Sequence, residues 1–506
     1  MRMGATTALV LAALVLTSVV AAAAPAVDPS VLVGSSRITA ASIRDHVAAL
    51  ASPAWEGRAL ASPGAESAAA YIRTQLRAAG LDPGTKEGTY DISFPVPTAA
   101  RVEGVIGLRD RRRGYTFGLD WSPLGFSAKG HVLAPLAVVG YGITVPEAGY
   151  DDYAGLDVSG KLVLVLTGEP PRAKHAPLLT TGPAYHADLF VKALNARRHG
   201  ALGLLVVGPP PGPGGTSPVW RINQEQGFPD AGIPACHLSW AAAESLLSGS
   251  SLDLGALRRS QPLVASHFSD DSACDSVEVI SGLRRLEGSA TDIVGRLPGR
   301  MDGTVVVAAA YDGWGIGPDN SSRVLHPGAG DNAAGVALLL ELATAMRGGL
   351  PPDHTILFVA YAGRVFDAAG IAPLVERMAA TGERVVAFVD LGGFGAKPAE
   401  RLFVSGTGSA AGWRDLLDGV SAVLPGAPEV SRIEATPSWG ALPQWKAMSV
   451  PAILVSTGGA TRFGTPQDTP GDLDPDGLAR LARYVYGIVR ALASEKTGFS
   501  GRGTGE

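Results

Sequence analysis

The spacing of apolar and polar positions changes along the chain, and each change marks a different kind of structure. Between residues 39 and 80 the apolar positions recur at helical spacing. Thr39 reads as the N-cap of a helix ending near Leu50. Ser62-Pro63 opens a second helix, with Tyr71, Ile72, Leu76 and Ala79 on one face and Gly80 just past its end. Proline fits a helix start because the N–H it lacks has no partner there, and glycine past the end accepts the left-handed cap. From about residue 102 to 266, short apolar runs at 136–141, 161–166 and 202–207 alternate with Gly/Pro turns, and one helix over 187–199 lies between two of them. This predicts a small β-rich domain. From about residue 291 the runs at 304–310, 355–361 and Val385–Leu391 are continuously apolar, as strands buried on both faces should be. Helical patterns at 331–346, 366–379, 413–423 and Pro475–Leu492 lie between or after them. Alternating strands and helices predict an α/β domain with helices on both faces of its sheet.

The ends of the chain read differently. Residues 1–26 have the pattern of a secretory signal: Arg2, an apolar run over 8–24, and small residues around Ala24-Pro25-Ala26. This predicts an exported protein, periplasmic or extracellular, with no membrane span after cleavage. Residues 495–506 are polar and Gly-rich and read as a flexible tail. Hydrophobic residues at 46% and charged residues at 18% exclude a disordered chain. A net charge of −5 without a long basic run excludes a nucleic-acid footprint. Cys236 and Cys274 leave both a disulfide and a buried thiol open. All nine His lie at or before His354, a distribution that matters for any metal site.

In open α/β sheets the working site lies at the carboxyl ends of the central strands. Four segments end there. The run 304–310 leads into Tyr311-Asp312-Gly313, and residues 327–335, PGAGDNAAG, open a helix. The run 355–361 leads into Ala362-Gly363-Arg364-Val365, and the third strand into Asp390-Leu391-Gly392-Gly393. With residues 50–58 (LASPAWEGR), 293–299 (IVGRLPG) and 463–470 (FGTPQDTP), these motifs resemble the zinc-dependent exopeptidases typified by bacterial leucyl aminopeptidase, aminopeptidase Y and glutamate carboxypeptidase. The resemblance covers nearly all of the chain after the signal. It implies a mixed central sheet, with residues 38–100 and 280–494 forming the exopeptidase-like domain. Residues 101–266 resemble the protease-associated domain that many members carry as an insertion.

The family's chemistry uses two zinc ions bridged by one Asp, with a Glu as general base. Carried over residue by residue, Asp331 matches the bridging Asp, Asp390 a terminal ligand, and Asp312 the Asp that orients the first His. The first His position is Ala310, the base position Arg364, the Glu-ligand position Val365, and the last His position Gly464. Two of five ligands remain, and the base does not. His326, just before PGAGDN, is the nearby imidazole that could swing in as a substitute. No cofactor is expected, or zinc if the site works in an altered form. Arg364 places a permanent cation among Asp331, Asp390 and Asp312, where it can replace the metal charge; the alternative is a solvent-facing Arg364 over hydrated carboxylates. Asp331 and Asp390 also have plain structural readings, as a helix-start cap and a strand end. The resemblance further implies a cis Asp331–Asn332 peptide, and it places Trp439, Trp445 and Asp468 near the family's specificity pocket; the commoner reading of the two tryptophans is ordinary core or rim packing. The expectation is a catalytically inactive homologue that binds a peptide or protein ligand. The alternative is an active metallo-aminopeptidase.

Overall fold

The two N-terminal helices form where their caps place them. Thr39 caps Ala40–Leu50 by accepting from Ser42 N at 3.1 Å, and Ser62 caps Pro63–Ala78 by accepting from Ala65 N at 3.2 Å. Both pack on the helix Ala334–Arg347, whose apolar residues are buried on every side. A computed structural model of the chain describes residues 27–145, 150–170, 188–211, 219, 230–248, 250–259, 274–318, 323–364, 368–395, 397–437, 440–457, 462–495 and 499. The signal segment, Val365, Trp439 and most of the tail lie outside the described residues.

The main sheet has nine strands. Across it run Asp82–Pro83, Leu283–Leu297, His354–Tyr361, Met301–Ala310, Val385–Leu391, Ala452–Ser456, Arg401–Ser405 and Glu429–Ile433, with Asp91–Val102 pairing the free length of Leu283–Leu297. The four central strands, from His354–Tyr361 to Ala452–Ser456, are parallel, so their carboxyl ends share one edge. The strands outside them are antiparallel to their central neighbours, which makes the sheet mixed. The three central strands that the sequence marks are those with unbroken apolar runs. The flanking strands are shorter or half-polar and carry no such signal. The helix expected over 366–379 begins instead at Ile371. The chain first folds back so that Gly370 N donates to Ala362 O at 3.0 Å, and a Cβ on Gly370 would lie 2.4 Å from that same oxygen.

The long ribbon of Asp91–Val102 and Leu283–Leu297 carries the chain out to a second sheet and back. That seven-stranded sheet runs in the order Gly107–Asp110, Cys274–Ser281, Gly130–Val138, Leu162–Leu166, Gly203–Val207, Ala235–Leu238, Trp121–Pro123. The inserted domain therefore includes Cys274–Ser281, beyond the expected boundary at 266. The strand order also separates the two cysteines. Their strands stand four strand spacings apart, roughly 19 Å, too far for a disulfide. Cys236 is a free, fully buried thiol, and burial pushes its pKa up. Among the described residues no helix is long and apolar enough to cross a membrane.

Candidate functional site

The carboxyl ends of the parallel strands surround an open recess. Its wall includes Ala310, Asp331, Asn332, Tyr361, Arg364, Asp390 and Phe463. Ala310 and Tyr361 end adjacent strands, and Asp390 sits one residue before the end of the next. Asp331 comes from the wide helical turn Ala329–Ala333, which leads into Ala334–Arg347. The Asp331–Asn332 peptide is trans; among the described residues the cis bond is Lys397–Pro398. A trans chain at this point simply continues through the turn into the helix.

Arg364 turns inward. Its Nη1 donates to an Asp331 carboxylate oxygen and, at 3.0 Å, to the Asp331 carbonyl. Its backbone N donates to Asp312 Oδ1 at 3.2 Å. The Arg364 side chain is 21% exposed and that of Asp331 7%, so the pair closes one side of the recess with little water around the carboxylate. Burial works against the guanidinium charge, but the Asp331 carboxylate and its hydrogen bond outweigh it, and the net shift is upward. Arg364 therefore stays cationic.

Asp390 faces the recess from the neighbouring strand. The Tyr361 hydroxyl donates to its Oδ2 at 3.2 Å. Burial pushes Asp390 up to about 7, with Arg364 and Tyr361 pulling the other way. The Tyr361 hydroxyl is itself pushed well above its ordinary value by burial and by Asp390, so it remains a donor. Behind them Asp312 is fully buried, and burial raises it to about 6. Its Oδ2 has no partner among the described residues. Asp292, also fully buried, accepts from Ala362 N at 2.9 Å and is raised well above the carboxylate range by burial, with Asp312 adding to the shift.

Two further residues set the shape of the turn that carries Asp331. Asp468 accepts from Gly330 N at 2.7 Å and Asp331 N at 3.0 Å, satisfying helix-start donors that would otherwise be orphaned. It is a buried anchor and not a pocket residue, because both of its oxygens are spent on backbone. Arg58 is fully buried. It donates to the carbonyls of Tyr311 (3.0 Å), Pro327 (2.9 Å), Gly328 (3.1 Å) and Leu50, and to the Asn332 side chain. Burial pulls Arg58 down to about 10, against Asp312, Asp331 and Asp468, which hold its charge. Asn332 then donates to the Asp312 carbonyl.

Trp445 is also not a pocket residue. It is fully buried and stacks on Phe388 with ring centroids 4.9 Å apart, which places it in the core under the sheet. His326 Nδ1 donates to the Gly464 carbonyl at 2.9 Å, and it joins no cluster of metal-ligating side chains among the described residues. Sequence reasoning overlooked Arg58 and Tyr361. Arg58 lay inside a quoted motif, where a charged residue following Trp55-Glu56-Gly57 carries no burial signal. Tyr361 looks like the last apolar residue of a strand.

The resident group that such a fold implies is a pair of zinc ions, and these side chains do not fit it. Ala310 offers a methyl group, Gly464 no side chain, and Val365 no donor atom at all. Asp331 is already engaged by a guanidinium. Among the described residues no group of three or more His, Cys, Asp or Glu is arranged to hold a metal.

Residues 292–489 match the model of peptidase family M28, and residues 132–246 match that of the PA domain. The chain therefore carries a peptidase family M28 domain over residues 292–489, preceded by a PA domain over residues 132–246. Among solved structures it is similar to an aminopeptidase from Aneurinibacillus sp. strain AM-1, at 18% identity over 92% of this chain and 96% of that one, with a TM-score of 0.54. It is similar to BSAP, a zinc aminopeptidase from Bacillus subtilis, at 17% identity over 90% and 95% of the two chains, TM-score 0.54. A peptidase M28 precursor from Shewanella amazonensis SB2B aligns at 18% identity over 91% and 95%, TM-score 0.50. At these identities the likeness concerns the fold. No curated protein sequence matches the chain.

Proposed function

We propose that this protein is an exported, catalytically inactive member of the M28 family that acts by binding a ligand in the recess at Asp331. The observation that carries this reading is the Arg364–Asp331 ion pair. It puts a fixed cation on the carboxylate that would bridge two metals, at the position where the family holds its general base. A zinc ion approaching Asp331 would have to displace a charge-assisted hydrogen bond. It would then find only Asp390 as a further donor among the ligand positions, whereas tight zinc sites take three or four N, S or O ligands. A water there would lack the glutamate base that the family holds at the position of Arg364. The neighbouring folds support an aminopeptidase ancestry, and the N-terminal apolar segment supports export.

Metal analysis of the purified protein, paired with hydrolysis of aminoacyl reporters, tests the reading. The expected result is zinc well below one per chain and no zinc-dependent turnover. Two zinc per chain with turnover would overturn it. The combined variant Ala310→His, Arg364→Glu, Val365→Glu, Gly464→His is expected to gain zinc that the parent does not hold.

A further inference from the structure

The recess presents opposite charges that share a wall without pairing. Arg364 spends Nη1 on Asp331, while its Nε and Nη2 make no hydrogen bond among the described residues. Asp390 receives a single side-chain donor among the described residues, the Tyr361 hydroxyl. Both line the same recess, yet among the described residues no ion pair within 4.0 Å joins them. The guanidinium has donors left over, and the carboxylate has acceptor capacity left over.

We propose that this recess captures a free α-amino acid with an apolar side chain, held as a zwitterion between Arg364 and Asp390. The inference rests on the reading that the site binds its ligand without zinc. The ligand carboxylate meets the free N–H groups of Arg364, whose planar fork matches carboxylate geometry. The ligand ammonium supplies three donors toward Asp390. In an α-amino acid the two charges sit on either side of one carbon, so one small molecule bridges two protein charges that lie close but do not touch. A peptide N-terminus carries the ammonium beside a neutral amide, and would leave the Arg364 donors without an anion. Ala310, Leu391, Leu454 and Phe463 give the remaining wall an apolar character that suits an aliphatic or aromatic side chain.

Isothermal titration of the folded mature chain at pH 8 tests this with four probes: L-leucine, L-leucinamide, N-acetyl-L-leucine and the dipeptide Leu-Leu. Leucine is expected to bind. Removing the carboxylate (leucinamide) or the ammonium (acetyl-leucine) is expected to weaken binding by about tenfold or more, the scale of one charged hydrogen-bonded contact. Asp390→Asn, nearly isosteric, is expected to weaken leucine by a similar factor. Leucinamide or Leu-Leu binding as tightly as leucine, or no leucine binding at all, overturns the inference. These outcomes leave the inactive reading standing, since that is read separately from zinc content and hydrolysis.

Discussion

Arg58 is the residue on which the site's shape most depends, and Arg58→Lys isolates its geometry from its charge. The guanidinium serves five acceptors with no exposure to water. A lysine ammonium has three donors on a single nitrogen and cannot reach in five directions. At least two buried acceptors lose their partner, at about 1–3 kcal/mol each. A total near 4 kcal/mol follows. The acceptors at Pro327, Gly328 and Asn332 all belong to the segment that carries Asp331, so the loss should appear there first. Hydrogen–deuterium exchange read by mass spectrometry over residues 327–335 is the assay. About 4 kcal/mol of lost local stability corresponds to exchange faster by roughly a thousandfold, if opening is local. A double-mutant cycle with Asn332→Ala should give a coupling of about 1–3 kcal/mol, because the two side chains touch. Unchanged exchange over 327–335 in a folded Arg58→Lys protein would refute the argument that this arginine, and not the helix itself, holds the turn.

Arg364→Gln should destabilise the protein by about 2–4 kcal/mol, somewhat less than the about 3–5 kcal/mol for breaking a fully buried pair, because Arg364 keeps some solvent contact. Adding Asp331→Asn should recover most of that loss in thermal unfolding, since the uncompensated charge goes with it. In the inserted domain, Lys192 is fully buried and donates to the carbonyls of Tyr141, Leu166 (3.2 Å) and Gly168 (2.8 Å). Burial lowers it to about 7, against Asp152, Glu169 and Asp188. Between pH 7 and about 10.5 the unfolded chain then binds the extra proton, so Lys192 makes stability rise with pH across that window. Lys192→Met should remove that part of the slope in pH-dependent unfolding, and an identical slope in both proteins would show that the lysine stays charged when folded.

The sequence made the central α/β framework readable for a physical reason. The strands Met301–Ala310, His354–Tyr361 and Val385–Leu391 are covered on both faces, so nearly every position is apolar and the run stands out. Helix boundaries were legible where a cap side chain fixes them, at Thr39, at Ser62 and at Pro475–Leu492. They were not legible where tertiary contact decides, as at Gly370, whose close approach to Ala362 delays the next helix. The inserted domain's last strand, Cys274–Ser281, pairs with strands more than a hundred residues earlier, so no local pattern reveals which sheet it joins. At the site, sequence spacing brought Asp331, Asp390, Asp312 and Arg364 to the right strand ends. It could not separate recess from core. Trp445 and Asp468 have the residue types of a binding wall but spend them on packing and on backbone N–H groups.

On the metal-free reading proposed above, that division explains how the recess would keep its shape. Zinc sites commonly act as cross-links, and their loss tends to unravel what they join. Here the joining is done by protein groups. Asp468 ties its own loop to the start of the Asp331 turn. Arg58 ties that turn to the N-terminal segment and to the end of the strand Met301–Ala310. Arg364 ties the loop after His354–Tyr361 to Asp331 itself, and its backbone engages Asp312. The loop after each of these strand ends is therefore fixed by a charge-assisted or buried hydrogen bond that no metal ion mediates. On the proposed reading, a scaffold stapled in this way could lose its imidazoles and its base while retaining a defined recess, and what it would present to a ligand is the part of its charge left unspent, on Arg364 and on Asp390.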